Sequence, residues 1–180
     1  MLSWARRFPE RRFALEDCRH LSRRLSADLL RVGEIQGGWY PKATQSYLSM
    51  GCNHCLEPTC LEGCPVDAYT KDSVTGLVRH SADACIGCQY CVQACPYGVR
   101  YFDEERGVTD KCTWCYHRIT KGLKPACVEV CPVGARVFGD LRDPASEISR
   151  LAKDGRAYRL LEDLNTQPGV RFLARRREKA

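Results

Sequence analysis

The placement of cysteine constrains this chain more than any other feature of its sequence. Thirteen cysteines occur among 180 residues, and twelve of them lie between Cys52 and Cys131. An odd total leaves one thiol over from any closed set of disulfides, and these cysteines come in groups of four rather than scattered through loops. The sequence therefore favours a segment organised around metal ligands over a disulfide scaffold.

The clustered cysteines form three similar units, each closed by a Cys-Pro pair. The units are Cys52-x2-Cys55-x4-Cys60-x3-Cys64-Pro65, Cys85-x2-Cys88-x2-Cys91-x3-Cys95-Pro96 and Cys112-x2-Cys115-x11-Cys127-x3-Cys131-Pro132. Repetition of one supersecondary unit is the simplest account of this pattern. Short apolar runs broken by Gly turns predict β-hairpins at residues 30–50 and 68–79, and a strand at 99–102 before a turn at Gly107.

The middle unit has the spacing of bacterial ferredoxins, in which three close thiolates bind one [4Fe-4S] cluster and the fourth cysteine reaches a neighbouring cluster. This exchange predicts two ligand sets: Cys52, Cys55 and Cys60 with Cys95, and Cys85, Cys88 and Cys91 with Cys64. The third unit supplies Cys112, Cys115 and Cys127 to a third cluster, whose fourth ligand is expected from a unit upstream. Isolated Cys-x2-Cys pairs also occur in structural zinc sites, so a zinc-binding interaction module is the alternative from a different functional class.

Several motifs carry a resemblance to a known family. They are Gly37-Gly38-Trp39-Tyr40-Pro41, Leu48-Ser49-Met50, Cys52-Asn-His-Cys55, Cys85-Ile-Gly-Cys88, Cys95-Pro-Tyr-Gly98, Lys111-Cys112, Lys124-Pro-Ala-Cys127 and Phe138-Gly-Asp140. Over roughly residues 29–170 the chain resembles the iron-sulfur subunits of molybdenum oxidoreductases such as dimethyl sulfoxide reductase, polysulfide or thiosulfate reductase, and the sulfite-oxidising complexes. The resemblance implies an α+β fold of ferredoxin-like repeats, built from short hairpins and short helices around the clusters.

The same resemblance implies a function and partners. Such a protein relays single electrons between a molybdopterin-containing catalytic subunit and an integral membrane, quinone-reactive subunit, and carries no catalytic residues of its own. An iron-sulfur subunit of a formate dehydrogenase or hydrogenase is the alternative within electron transfer. The substrate, the direction of electron flow and the side of the membrane are not encoded in these motifs.

The chain departs from this family near its start. Members typically carry sixteen cysteines in four groups, but here the first group is reduced to Cys18, and the motif spacing upstream of it falls on Ala14, Arg11 and Phe8. By the exchange rule Cys18 completes the third cluster and leaves Cys131 without one. In the competing assignment Cys131 closes that cluster and Cys18 is an ordinary thiol. Both assignments give three [4Fe-4S] clusters. A genuine loss of the first cysteine group and a wrong reading frame near the start would both produce this N-terminus.

Three segments follow from these patterns: a basic, degenerate N-terminal segment (1–28), a cluster-binding domain (29–140), and a C-terminal helix with a basic tail (141–180). Asp143-Pro144 predicts the start of the helix, with Ile148 and Leu151 on its apolar face. The closing RFLARRREKA is expected to be a solvated tail.

Composition and charge limit the remaining functions. The chain has no apolar run of membrane-spanning length and no signal peptide, so a peripheral, membrane-associated position through a partner is expected. The net charge of +6 would be cancelled by three clusters of about two negative charges each, so nucleic acid is not a predicted partner. No Ser-His-Asp set, paired-carboxylate signature or phosphate-binding loop indicates substrate chemistry.

Four residues beside the ligands are also of interest. His54 either donates a hydrogen bond to sulfur or packs in the interior. Trp114, Tyr90 and Tyr97 are expected to shield the clusters from water.

Overall fold

A computed structural model describes residues 2–7, 29–132 and 134–174. Cys18 and most of the predicted segment 1–28 lie outside this part of the chain. The described residues form strands and short helices: β1 (Leu2–Arg7), β2 (Arg31–Gly37), β3 (Thr44–Met50), α1 (Thr59–Glu62), β4 (Tyr69–Lys71), β5 (Val78–His80), α2 (Tyr90–Ala94), β6 (Arg100–Asp103), β7 (Val108–Lys111), α3 (Tyr116–Ile119), α4 (Ala126–Glu129), β8 (Arg136–Asp140), α5 (Glu147–Ala152), β9 (Ala157–Tyr158), a 3-10 helix (Glu162–Leu164) and β10 (Val170–Leu173).

Three antiparallel hairpins form where the sequence predicts them. β2 pairs with β3, β4 pairs with β5 across the Gly76 turn, and β6 pairs with β7 across the Gly107 turn. Both glycines have a positive φ, which only glycine adopts without strain. The two predicted hairpins and the predicted strand before the Gly107 turn are confirmed.

A four-stranded sheet joins segments that are distant in sequence, in the order β8-β1-β10-β9. β1 runs antiparallel to β8 and parallel to β10, so that Trp4 lies opposite Phe138 on one side and Val170 on the other. β9 closes the other edge of β10 in antiparallel register. The sheet thereby connects a strand near the N-terminus to strands that follow the last cysteine.

The C-terminal helix is present, but its cap differs from the predicted one. The hydroxyl of Ser146 accepts the Ser149 backbone N–H at 3.2 Å, and α5 begins at Glu147. The Asp143 carboxylate instead accepts the Ala145 backbone N–H at 2.9 Å, in a turn before the helix. Asp143 was therefore the wrong N-cap, whereas burial of Ile148 and Leu151 is confirmed.

The predicted solvated tail is wrong at its beginning. Phe172 and Leu173 lie in β10 and are 1% and 2% exposed. Phe172 packs with Leu77, Trp114 and Val170 in one apolar cluster, and burial of this apolar surface outweighs the basic character of the segment. The last six residues lie outside the described part of the chain.

Cysteine makes up much of the remaining interior. Two further buried clusters contain cysteine sulfurs among a few apolar side chains: Cys60 and Cys91 with Tyr69 and Val78, and Cys52 with Tyr97 and Val99. Across residues 2–7, 29–132 and 134–174, no helix has the length and apolar composition needed to cross a membrane.

Candidate functional site

Four of the predicted ligands line one cavity. Its empty volume is about 320 Å³, and its wall includes Cys52, Cys55, Cys60 and Cys95. Cys52 and Cys55 follow β3, Cys60 lies on α1, and Cys95 directly follows α2. We call these four residues the first set. The structure brings them together although 43 positions separate Cys52 from Cys95 in the sequence.

A second cavity, of about 270 Å³, is lined by Cys64, Cys85, Cys88 and Cys91, which we call the second set. Tyr69 and Thr109 complete part of its wall. Cys91 is buried whereas Cys88 is exposed. The second cavity therefore reaches the surface of the chain at Cys88.

The third set consists of Cys112, Cys115 and Cys127. Cys112 and Cys127 pack against the apolar cluster of Leu77 and Trp114. Burial raises the pKa of the Cys112 thiol to about 12, and the negative charges of Cys52 and Cys127 act in the same direction. Cys131 is buried directly after α4.

The three units share backbone conformations as well as spacing. The residue before the second cysteine of each Cys-x2-Cys pair is left-handed, with φ of 43° at His54, 69° at Gly87 and 52° at Trp114. At Gly87 a Cβ atom would lie 2.4 Å from the Gly107 carbonyl oxygen, so glycine is required there. This left-handed turn lets the two cysteines of each pair face the same site.

A second shared feature follows each Cys-Pro pair. A short helix, α1, α2 or α4, precedes the closing cysteine, and the residue three positions after it is left-handed: Asp67, Gly98 and Gly134, with φ between 48° and 59°. The chain therefore leaves each unit by the same turn.

Polar side chains also point at the sulfurs. Arg100 Nη2 donates to Cys60 Sγ at 2.5 Å, and the Tyr69 hydroxyl donates to Cys91 Sγ at 3.3 Å. Thr109 Oγ1 lies 3.4 Å from Cys91 Sγ, and the Ala68 backbone N–H donates to Cys64 Sγ at 3.3 Å. Sequence reasoning missed all four residues, because they reach the sulfurs through tertiary packing and carry no motif of their own.

The charge state of the thiols bears on what the first cavity can hold. Burial, followed by the nearby Cys52 sulfur, raises the pKa of Cys55 to about 12, and burial also raises the pKa of Cys60. Such thiols keep their protons at neutral pH unless a bound cation favours the thiolates. Four cysteines around a cavity, with donors directed at sulfur, fit a [4Fe-4S] cluster, whose irons take one thiolate each.

Among the described residues, no three His, Cys, Asp or Glu side chains are grouped so that they could hold one metal ion. The cysteines of the first and second sets line the two cavities described above.

His54 packs between the first and third sets. Its Nδ1 accepts the Val78 backbone N–H at 3.0 Å, so Nε2 carries the proton and donates to the Cys112 carbonyl oxygen at 2.9 Å. Burial, then the charge of Lys111, lowers its pKa well below the usual value, which keeps the ring neutral. Both ring nitrogens bond to backbone, so the packing interpretation is confirmed and donation to sulfur is wrong.

The expected burial of the aromatic residues holds for two of three. Trp114 is 2% exposed and donates from Nε1 to the Cys52 carbonyl oxygen at 3.1 Å. Tyr97 is 8% exposed, with its hydroxyl 2.6 Å from Thr166 Oγ1. Tyr90 is 55% exposed but also lines the second cavity, so it shields that cavity only in part.

The C-terminal segment packs against the loop that carries Cys52 and Cys55, a contact that the sequence did not indicate. The Leu56 and Glu57 backbone N–H groups donate to the carbonyl oxygens of Gln167 and Thr166 at 3.0 and 3.2 Å. The Gly169 backbone N–H donates in return to the Asn53 carbonyl oxygen at 2.9 Å. A Cβ at Gly169 would lie 3.0 Å from that same oxygen, so the two segments approach closely here.

Comparison with known proteins points to the same chemistry. Residues 43–141 match the sequence model of a family described as the 4Fe-4S dicluster domain. A sulfite dehydrogenase subunit of Allochromatium vinosum is 39% identical over 155 residues, covering 83% of this chain and 65% of the relative. A tetrathionate reductase subunit of Salmonella typhimurium is 43% identical over 142 residues, covering 78% and 56%.

A third relative is covered more fully. The iron-sulfur cluster-binding subunit of menaquinone reductase from Nitratidesulfovibrio vulgaris is 35% identical over 190 residues, covering 84% of this chain and 74% of the relative. The chain spans less than two thirds of the length of the sulfite dehydrogenase and tetrathionate reductase subunits.

Proposed function

Because the chain belongs to the 4Fe-4S dicluster domain family, we propose that it is an iron-sulfur electron-transfer subunit that relays single electrons within a multi-subunit oxidoreductase. The observation that carries this proposal is the pair of cavities, each lined by four cysteines drawn from two sequence units. In a ferredoxin-type pair, each cluster likewise takes its fourth ligand from the neighbouring unit.

The number and ligands of the clusters are part of the proposal. The first set binds one [4Fe-4S] cluster, the second set binds another, and Cys112, Cys115 and Cys127 bind a third together with Cys18 or Cys131. The left-handed turns shared by the three units support the interpretation as an internal repeat. The burial of Cys131 beside α4 is compatible with a ligand and with a packed thiol.

The protein tunes the surroundings of the clusters and does not itself make or break substrate bonds. Each cluster, when bound, supplies a reversible one-electron site. The Ala68 N–H and the Tyr69 hydroxyl stabilise negative charge on the sulfurs of Cys64 and Cys91. Tyr97 is buried in the wall of the first cavity and excludes water there, which strengthens every electrostatic interaction within it.

Contacts between the sets support one order of the clusters along the electron relay. Arg100 bonds to Cys60 and stacks 4.5 Å over the ring of Tyr69, whose hydroxyl bonds to Cys91. The Trp114 indole also bonds to the Cys52 carbonyl, and Trp114 lies between Cys112 and Cys115 in the sequence. These contacts support a relay in which the first set occupies the middle position between the second and third sets.

The partners follow from the relatives. Their names identify subunits of a sulfite dehydrogenase, a tetrathionate reductase and a menaquinone reductase. We propose a molybdopterin-containing catalytic subunit at one end of the relay and an integral membrane, quinone-reactive subunit at the other. The chain itself would be peripheral, held at the membrane by that partner.

Purification of the tagged chain from its own cells, without oxygen and in mild detergent, tests this proposal. We expect a molybdenum-containing subunit and a multi-helix membrane subunit to co-purify, and quinol or the enzyme's reductant to bleach the absorption near about 400 nm. A matched preparation of a Cys85→Ser, Cys88→Ser double variant should lose part of that absorption. Recovery of a free monomer that exchanges electrons with diffusing carriers would contradict the complex and favour an independent ferredoxin.

A further inference from the structure

Arg100 is a buried cation beside the first set. Its side chain is 3% exposed, and Nη2 donates to Cys60 Sγ at 2.5 Å. Its Nε and Nη1 atoms are buried and find no hydrogen-bond acceptor among the described residues. The guanidinium carbon lies 4.5 Å from the centre of the Tyr69 ring.

A buried arginine is normally paired with a carboxylate, because an unpaired charge in the interior costs several kcal/mol. Within the described part of the chain, Arg100 forms no ion pair with an Asp or Glu side chain. Arg100 instead bonds to the Cys60 sulfur and lines the same cavity as Cys52, Cys55 and Cys95. All four cysteines belong to the first set, so the negative charge that would balance Arg100 is that of the bound cluster and its thiolates.

Two lysines near the same set bond differently. Lys71 Nζ donates to the carbonyl oxygens of Cys55 and Gly76, at 2.5 and 2.7 Å. Lys111 Nζ donates to the Val78 carbonyl oxygen at 2.5 Å. Both hold the backbone of the loops, whereas Arg100 contacts a ligand sulfur directly.

We propose that Arg100 is the fixed counter-charge of the cluster held by Cys52, Cys55, Cys60 and Cys95, and that it raises the reduction potential of this cluster. The inference rests on the proposed function. Reduction by one electron, supplied by a neighbouring carrier or by dithionite in the test, makes the iron-sulfur unit one charge more negative without breaking a bond. A desolvated cation at hydrogen-bond distance from a ligand sulfur stabilises that added charge, since it is shielded little by water.

The chain offers a matched control at Arg79. This residue also stacks on a tyrosine, with its guanidinium carbon 4.6 Å from the Tyr116 ring centre. It is exposed to solvent, so water and salt screen its charge. Replacement of Arg79 removes the same charge and the same type of ring contact without removing a donor to sulfur.

The test is a redox titration followed by electron paramagnetic resonance on the anaerobic complex carrying Arg100→Gln, Arg100→Lys or Arg79→Gln. In Arg100→Gln we expect the reduction equilibrium of one cluster to fall at least tenfold, which is 59 mV for one electron. Arg100→Lys should retain more than half of the original effect, and Arg79→Gln should shift no midpoint. Unchanged midpoints in Arg100→Gln at full iron content, or an equal shift in Arg79→Gln, would overturn the inference.

A measurement on the unaltered protein decides the matter if Arg100→Gln does not assemble. With ¹⁵N-labelled arginine, the spectrum of one reduced cluster should show a ¹⁵N hyperfine coupling that disappears in labelled Arg100→Lys. A cluster spectrum with no such coupling in the unaltered protein overturns the role of Arg100 alone. The absence of any iron-sulfur spectrum would instead contradict the proposed function.

Discussion

Burial raises the pKa of the cysteine thiols, whereas binding to iron requires that they lose their protons. Burial raises the pKa of Cys55 and Cys112 to about 12, so both thiols are protonated at neutral pH in the absence of a metal. Because iron binds the thiolate, assembly of the clusters must release these protons and is weakened as the pH falls.

Two cysteines, Cys18 and Cys131, are candidates for the fourth ligand of the third cluster. By the exchange rule Cys18→Ser removes that ligand, so iron should fall from about twelve atoms per chain to about eight or nine, because one corner iron becomes labile. Cys131→Ser should leave the iron content nearly unchanged. Iron analysis and electron paramagnetic resonance of the two purified variants measure this directly.

The opposite result has an equally definite meaning. Loss of iron in Cys131→Ser, with full iron in Cys18→Ser, would show that the third unit closes its own cluster. Cys60→Ser serves as the reference, because both assignments make Cys60 a ligand of the first set. It should lower the iron content in either case.

Residue spacing predicted which cysteines come together, since the exchange rule places Cys95 with Cys52 and Cys64 with Cys85. It could not predict Arg100 or Thr109. These side chains reach sulfur only because β6 and β7 bring them against the cavities, and a buried charge has no recognisable pattern in a single sequence.

At the scale of elements, local signals were the reliable ones. The hairpins β4-β5 and β6-β7 are marked by short apolar runs around a Gly turn. The pairing of β1 with β8 and β10 has no such mark, because it joins strands that are far apart in the chain. The strand β10 was also missed, because the basic residues that follow it made the whole segment look like a solvated tail.

The N-terminus of α5 gives a test of one local assignment. Ser146→Ala removes the hydroxyl that accepts the Ser149 N–H, and loss of such a cap costs about 1 kcal/mol of stability. We expect a decrease of about 2–4 °C in the thermal midpoint of the cluster-loaded protein, followed by circular dichroism without oxygen.

Asp143→Ala is the control for this cap. It removes a turn hydrogen bond before the helix but no hydrogen bond to the first turn of α5, so its effect should be smaller. A larger effect from Asp143→Ala than from Ser146→Ala would contradict the observed cap and support the one predicted from Asp143-Pro144.

At the scale of the whole molecule, the interior depends on the clusters. Among the residues that the structure describes, two of the four buried clusters of side chains are built around Cys52, Cys60 and Cys91 rather than around large apolar residues alone. Removal of iron would leave the two cavities empty and their buried thiols without a partner cation. The fold and its cofactors are thus expected to form one cooperative unit.

Chelation of iron under reducing, oxygen-free conditions tests that dependence. We expect loss of far-UV circular dichroism and a large decrease in the thermal midpoint, because apolar burial alone is insufficient for this segment. The same chelator without reductant is the control and should act much more slowly. An iron-free chain with unchanged spectrum and midpoint would show that the fold is independent of the clusters.

We propose that this chain holds three [4Fe-4S] clusters that carry single electrons. The iron, acid-labile sulfide and zinc content of the protein purified without oxygen, measured together with its visible spectrum, tests this directly. We expect about twelve iron and about twelve sulfide per chain, with broad absorption near about 400 nm that dithionite bleaches. Stoichiometric zinc with no visible absorption would contradict it.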